Sequence, residues 1–236
     1  MNQGELMAIE YIGSVTSTTT TSGINAASVP AGTQPGDFLV WIVQAWSATV
    51  TSVSAGYSLI CDSGSGSPMR AYGRVATGDS DAPIAFFSAA GNHVAALHAF
   101  RGVDPNSPVG QSTAAYISAA STTHSVAPLS TLLEGCMTLC AVATGINNAS
   151  YGYTWDAPAT KRVDMHSTAG YRYLSTATTE HPTAGGTGNA VARFPSSLYN
   201  YQARLVINPK PTSRLYLGST PVPLMLGNTA VEIMGP

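Results

Sequence analysis

Apolar residues along this chain come in short runs, each bounded by Gly, Pro, Ser, Thr or Asn, and that is the pattern of strands and turns. The strongest run is Phe38-Leu39-Val40-Trp41-Ile42-Val43, rich in aromatic and β-branched residues that favour a pleated surface. Pro30, Gly32, Pro35 and Gly36 form the turn that feeds it. Further strands are predicted over 57–61, 71–76, 84–88 and 94–101, and again over 136–143, 161–165, 170–176, 190–194 and 201–207. No segment carries a long helical period with caps, so the chain is predicted to be all-β.

The two halves of the chain resemble each other. Gly36-Asp37-Phe38-Leu39-Val40 aligns with Gly135-Cys136-Met137-Thr138-Leu139, each opening a core strand. Tyr72 to Thr77 then aligns with Tyr171 to Thr176, Ser54-Ala55-Gly56 with Asp156-Ala157-Pro158, and Ala95 to Phe100 with Tyr201 to Val206. Four or five strands per half predict a two-sheet, jelly-roll-like β-sandwich of two similar halves. The expected organisation is an N-terminal arm and first strand over 1–24, and a sandwich over 25–208 with halves at about 25–110 and 125–208. An extension follows over 209–236, in which Leu-x-Leu-Gly-x-Thr-x-Val occurs twice, from Leu215 and from Leu224. Each copy reads as a tiny β-hairpin, too small to bury a core of its own, behind a stiff Asn208-Pro209-Lys210-Pro211 linker.

Composition changes the picture in one respect. Only 9% of residues are charged, against roughly 25% in an average soluble domain. The 44% hydrophobic content excludes a disordered chain. So weakly charged a surface gives little protection against association, and much of it is expected to lie against other subunits. The net charge of −2 and the lack of Lys/Arg runs argue against nucleic-acid binding. No cationic, apolar leader opens the chain and no apolar run is long enough to span a bilayer, so neither secretion nor membrane insertion is expected.

Cys61, Cys136 and Cys140 are read as free, mostly buried thiols. Two cysteines four residues apart on one strand have Cα atoms about 13 Å apart at about 3.3 Å per residue, beyond disulfide reach. No Cys or His pairing at ligand spacing accompanies them, so neither a metal nor a cofactor is expected.

The run Val29-Pro30-Ala31-Gly32-Thr33-Gln34-Pro35-Gly36-Asp37-Phe38-Leu39-Val40 is similar to the opening of a family of β-sandwich modules found in bacteriophage virion proteins and some bacterial surface proteins. Tyr72 to Asp79 and Ala99-Phe100-Arg101-Gly102-Val103-Asp104-Pro105 resemble its next two landmarks, and the likeness covers about 25–207. The usual Trp before the second strand is Tyr57 here. The Leu-Tyr-Leu-Gly-Ser-Thr tail resembles C-terminal repeats of phage minor tail proteins. The resemblance implies a virion component assembled in the host cytoplasm and brings no catalytic motif. The shared residues read structurally: Gly32 and Gly36 permit turn angles, Asp37 bonds backbone N–H groups in its turn, and Arg101 pins the corner beside Gly102 through a carboxylate or loop carbonyls.

An enzyme would need a nucleophile and base or paired carboxylates. His93, His98, His124, His166 and His181 fall in no nucleophile motif, and Asp62, Asp79, Asp81, Asp156 and Asp164 read as turn or strand-end residues. A non-enzymatic role is expected. Glycan contact is the alternative: Tyr151, Tyr153 and Trp155 follow Asn147-Asn148 in what reads as a loop, either stacking on sugar or sealing the loop or a subunit contact. The leading expectation is a structural protein of tail tip, baseplate, fibre base or capsid exterior. It would act as a homotrimer docking on other virion proteins, with Leu215, Tyr216, Leu217, Leu224 and Leu226 in its assembly tail.

Overall fold

A computed structural model describes residues 8–19, 23–46, 48–64, 68–78, 81–131, 133–145, 150–167, 172–211, 214–217, 220–221, 223–226 and 229–233, with side chains as far as Pro211. The first half comprises β1 (Glu10–Thr19), β2 (Ile24–Ala26), β3 (Phe38–Gln44), β4 (Val50–Val53), β5 (Ser58–Asp62), β6 (Met69–Val75), β7 (Ile84–Phe87) and β8 (His93–Arg101). The second comprises β9 (Val109–Val126), β10 (Ser130–Thr131), β11 (Cys136–Gly145), β12 (Thr154–Trp155), β13 (Thr160–Ser167), β14 (Arg172–His181), β15 (Gly185–Gly186) and β16 (Ala190–Ile207). The C-terminal extension carries β17 (Arg214–Leu217), β18 (Thr220–Pro221), β19 (Pro223–Leu226) and β20 (Thr229–Ile233). The chain is all-β and sandwich-like, as its pattern predicts.

The halves repeat, but each holds more than the expected four or five strands. The first central sheet has the order β1-β8-β3-β6-β5, and the second has β9-β16-β11-β14-β13, with the two-residue β12 also paired to β16, whereas its counterpart β4 lies in the outer sheet. These orders are identical once each half is counted from its own first strand. An outer sheet β2-β7-β4 backs the first, and a two-residue pair β10-β15 stands in the same place beside the second. Each half is thus a jelly-roll-like eight-strand unit rather than half of one. The surplus strands are short or built of Ser, Thr, Ala and Gly, so their apolar pattern is silent.

The two central sheets pack face to face. Phe38, Val40, Ile42, Ala96 and Phe100 from one meet Met137, Leu139, Ala141, Leu174, Leu205 and Ile207 from the other in one core. The opposite faces of β3 and β8, with Leu39, Trp41 and Leu97, fill a second core under the outer sheet. A third, built on Val142, Tyr153, Tyr173 and Phe194, serves the second half. Strands β3 and β11, covered on both sides, are therefore buried along nearly their whole length with no alternation.

Strand pairing fixes which residues correspond. Phe38 pairs with Val75 and Phe100, and Met137 with Glu180 and Ile207. Phe100 therefore matches Ile207, not Val206; a one-residue slip would turn the side chain to the wrong face. Tyr72 pairs with Trp41, and the corresponding partner of Cys140 is Ala177. Tyr171, which the sequence alignment sets against Tyr72, lies outside the described residues.

The expected turn devices are present. Gly32 and Gly36 have φ of 85° and 93°. Asp37 Oδ2 accepts the Gln34 N–H at 2.7 Å, and Arg101 forks onto Asp37 at 3.0 and 2.9 Å while also donating to Gly32 O at 2.9 Å. The three cysteines are free, with Cys136 and Cys140 buried and Cys61 half-buried. In the extension, β17 and β18 form one hairpin and β19 and β20 another, joined by parallel pairing of β17 with β20.

Candidate functional site

The halves are related by an approximate two-fold exchange. Edge strand β5 lies against β9, and its counterpart β13 lies against β1; across the interior β6 meets β16 and β14 meets β8. Such an arrangement has two equivalent seams, like an isologous dimer in one chain.

The correspondence at the seams is set by shared bulges. In β5 the register shifts between Leu59 and Cys61, and in β13 between Lys161 and Val163, which leaves Ile60 and Arg162 in the same place. In β1 the shift follows Tyr11, and in β9 it follows Val109. At the β1/β13 seam the Arg162 guanidinium lies over the Tyr11 ring, 4.2 Å from its centre, and donates to Thr178 Oγ1 at 2.7 Å. At the β5/β9 seam the matching residues are Ile60 and Val109. These smaller side chains leave a cleft of about 590 Å³, walled by Leu59, Ile60, Val75 and Val109 with Asn106, Gln111 and Arg74 at its margin. Ser112 Oγ donates across it to Ile60 O at 3.2 Å. Leu59 is 55% exposed here. Arg74 is held by Ala55 O at 2.8 Å, Thr77 Oγ1 at 3.1 Å and the buried Asp81 carboxylate, so it acts as a wall more than as a free charge. No sequence signal marks this cleft, because it depends on two strands far apart in the chain.

An aromatic cluster lies where β9 and β16 pass Trp46. The Arg172 guanidinium sits 3.4 Å from the centre of the Trp46 ring, and Tyr199 lies alongside at 6.4 Å with ring planes 17° apart. Tyr116 packs on Tyr201 at 4.9 Å and edge-on to Tyr199 at 5.9 Å, and it and Ile117 are exposed.

The residues singled out from the sequence for glycan contact occupy a different setting. Tyr153 is fully buried, with its ring 4.6 Å from Phe194 and edge-on to His124 at 5.7 Å. Burial pushes its phenol upward. Tyr151 packs edge-on to Phe194, and Trp155 donates from Nε1 to Ser175 Oγ at 2.9 Å; both are half-buried against the third core. The structure brings the three together as a cap on that core. Leu215, Tyr216, Leu217, Leu224 and Leu226 lie in β17 and β19, and their side chains are outside those described.

The titratable groups are tied into structure. Burial depresses His98 to about 3, and its Nδ1 lies 3.2 Å from the Tyr11 hydroxyl. His93 stacks on Phe87 at 3.7 Å, and burial lowers it as well. Asp62 pairs with Arg70 at 2.7 Å, Asp164 with Lys161 at 2.9 Å, and Asp156 with Arg193 at 2.7 Å. Asp79 lies outside the described residues. Among the described residues no cluster of three His, Cys, Asp or Glu could hold a metal ion. No described helix is long and apolar enough to cross a membrane. Compared with family models, with curated proteins and with solved structures, the chain has no match.

Proposed function

We propose that this protein is a non-enzymatic structural component of a bacteriophage particle, working by docking against other subunits. The observation that carries the reading is the outward face of the β2-β7-β4 sheet. Ile24, Ile84 and Phe86 stand 46%, 38% and 42% exposed on it, Ile24 directly opposite Phe86, and no residue of the three strands is charged. Apolar surface gathered on one face, in a chain with so few charges, marks a contact surface. The resemblance of 25–207 and of the tail to virion modules supports the same reading, with self-association as a homotrimer. Antibodies to the chain should detect it in density-banded phage particles from a lysate of cells carrying its gene. Its absence from such particles would sink the proposal.

Receptor or glycan binding is the second reading, favoured by the exposed Tyr116 beside Tyr199. On that reading the purified chain binds host-surface glycan in solution, and Tyr116→Ala removes the binding.

A further inference from the structure

The two seams of the chain are built alike and filled differently. Ile60 and Val109 at the β5/β9 seam stand where Arg162 and Tyr11 stand at the β1/β13 seam. The same register sets Leu59 against Lys161, and Gly73 against Thr178, whose hydroxyl accepts from Arg162. At one seam, then, a phenol ring with a planar cation over it closes the space between the strands. At the other, smaller side chains leave the cleft of about 590 Å³ in the same place. That volume lies within the range of about 300–1,000 Å³ found for binding sites.

The backbone around the cleft is already engaged. β9 lies along β5, and Ser112 Oγ donates to Ile60 O at 3.2 Å across the seam, so what the cleft offers an occupant is side chains. Leu59, Ile60, Val75 and Val109 make its wall apolar, while Ser58 and Asn106 place a hydroxyl and an amide beside them. Arg74 is the one charged side chain that lines it, and Asp81 already meets that charge. A charged occupant would lose hydration here without gaining an opposite charge, so the electrostatics select a neutral one. An apolar wall with polar groups at its margin suits an aromatic ring that carries one hydrogen-bonding group. Tyr11 supplies such a ring at the matching seam.

We infer that the cleft between β5 and β9 receives an uncharged aromatic side chain, a tyrosine, presented by a partner subunit. The inference rests on the proposed docking role and names one of its contacts. The probe that tests it is N-acetyl-tyrosinamide, titrated into full-length protein with isotope-labelled Leu, Ile and Val methyl groups and followed by NMR. Saturable shifts of the Leu59, Ile60, Val75 and Val109 methyl signals are expected, with a dissociation constant of about 1 mM for so small a ligand. N-acetyl-alaninamide should shift none of them. Ile60→Arg with Val109→Tyr copies the sealing pair of the other seam, and Leu59→Lys alone copies its margin. Each should weaken probe binding at least tenfold with the melting temperature kept. Leu59 is 55% exposed, so its variant reports on the cleft even where the double one fails to fold. Shifts that are absent, that fail to saturate, that N-acetyl-alaninamide reproduces, or that persist undiminished in folded Leu59→Lys would overturn the inference. Particles that contain the chain, with no probe bound in solution, would defeat this inference and leave the proposed function standing. A chain that binds the probe as described but is missing from particles would do the reverse.

Discussion

The guanidinium of Arg172 lies 3.4 Å from the centre of the Trp46 ring, so a side chain of the second half rests on an aromatic of the first. Arg172 is buried, and its cationic form is disfavoured by that burial, which makes the aromatic face an important neighbour for the charge. Replacing Trp46 by Ala removes this contact and the stacking on Tyr199. The expected loss is about 3 kcal/mol in denaturant unfolding, in the range for truncating a large aromatic in a packed site. Trp46→Phe should recover more than half of it.

Gly73 lies within a strand, where a side chain would meet the core rather than a turn. A Cβ placed there would come within 2.7 Å of the Phe38 ring and 2.8 Å of Ile60 Cδ1, between the core and the floor of the cleft. Gly73→Ala should cost about 1–3 kcal/mol through overpacking. Paired with Ile60→Val, which withdraws the crowding methyl, the loss should shrink. Additive losses in the double variant would show that Ile60 is not the obstacle.

Local devices were legible in the sequence because everything they need lies within a few residues. The Pro-Gly turn with Asp37, and Arg101 beside Gly102, are of this kind, and the Arg101–Asp37 fork forms as expected. The duplication was also legible, through Gly36 and Gly135 opening the two central strands. Its register was not. More residues separate paired positions of β11 and β14 than of β3 and β6, and a Tyr-for-Tyr match at Tyr171 hides the difference. β9 went unread because its surface of Ser, Thr and Ala has no apolar period, although it pairs along much of β16. Aromatic residues in the 151–155 segment read equally as platform or as core, since composition does not tell which ring face is already covered.

Acid should destabilise the fold through its histidines. Burial depresses His98 to about 3 from an ordinary 6.5, and it also lowers His93 and His124. The unfolded chain therefore binds a proton at His98 at a pH where the folded one does not. Stability from this residue is complete above pH 6.5 and is lost as pH falls toward 3, at about 1.4 kcal/mol per pH unit. Unfolding midpoints measured from pH 8 to pH 4 should fall in that window. His98→Asn should flatten the slope, whatever it does to the stability at pH 8; an unchanged slope would assign the effect to other groups.

The thiols should be inert in the folded protein. Burial pushes Cys61 up to about 12 and Cys140 up to about 11, and raises Cys136 as well, so little thiolate exists at pH 8. A chromogenic disulfide reagent should label all three only as the chain unfolds. Fast labelling of one thiol in native conditions would locate a region of local opening, with half-buried Cys61 the first place to look.

Trp155 separates a core role from a sugar platform. Its Nε1 donates to Ser175 Oγ, which in turn donates to Val163 O at 2.8 Å, so the indole anchors a relay into β13 and β14. Trp155→Phe keeps the ring and deletes the donor, and should cost about 1 kcal/mol. Ser175→Ala should cost a similar amount, and the two losses should be less than additive because they break the same relay. A sugar-stacking residue would respond differently: Trp155→Phe would retain binding with stability untouched, and Ser175→Ala would leave binding alone. Loss of glycan binding in Trp155→Ala alone therefore says nothing about stacking, since that variant also uncaps the third core. Unfolding curves of the Phe and Ala variants, taken beside any binding assay, distinguish a lost contact from a lost fold.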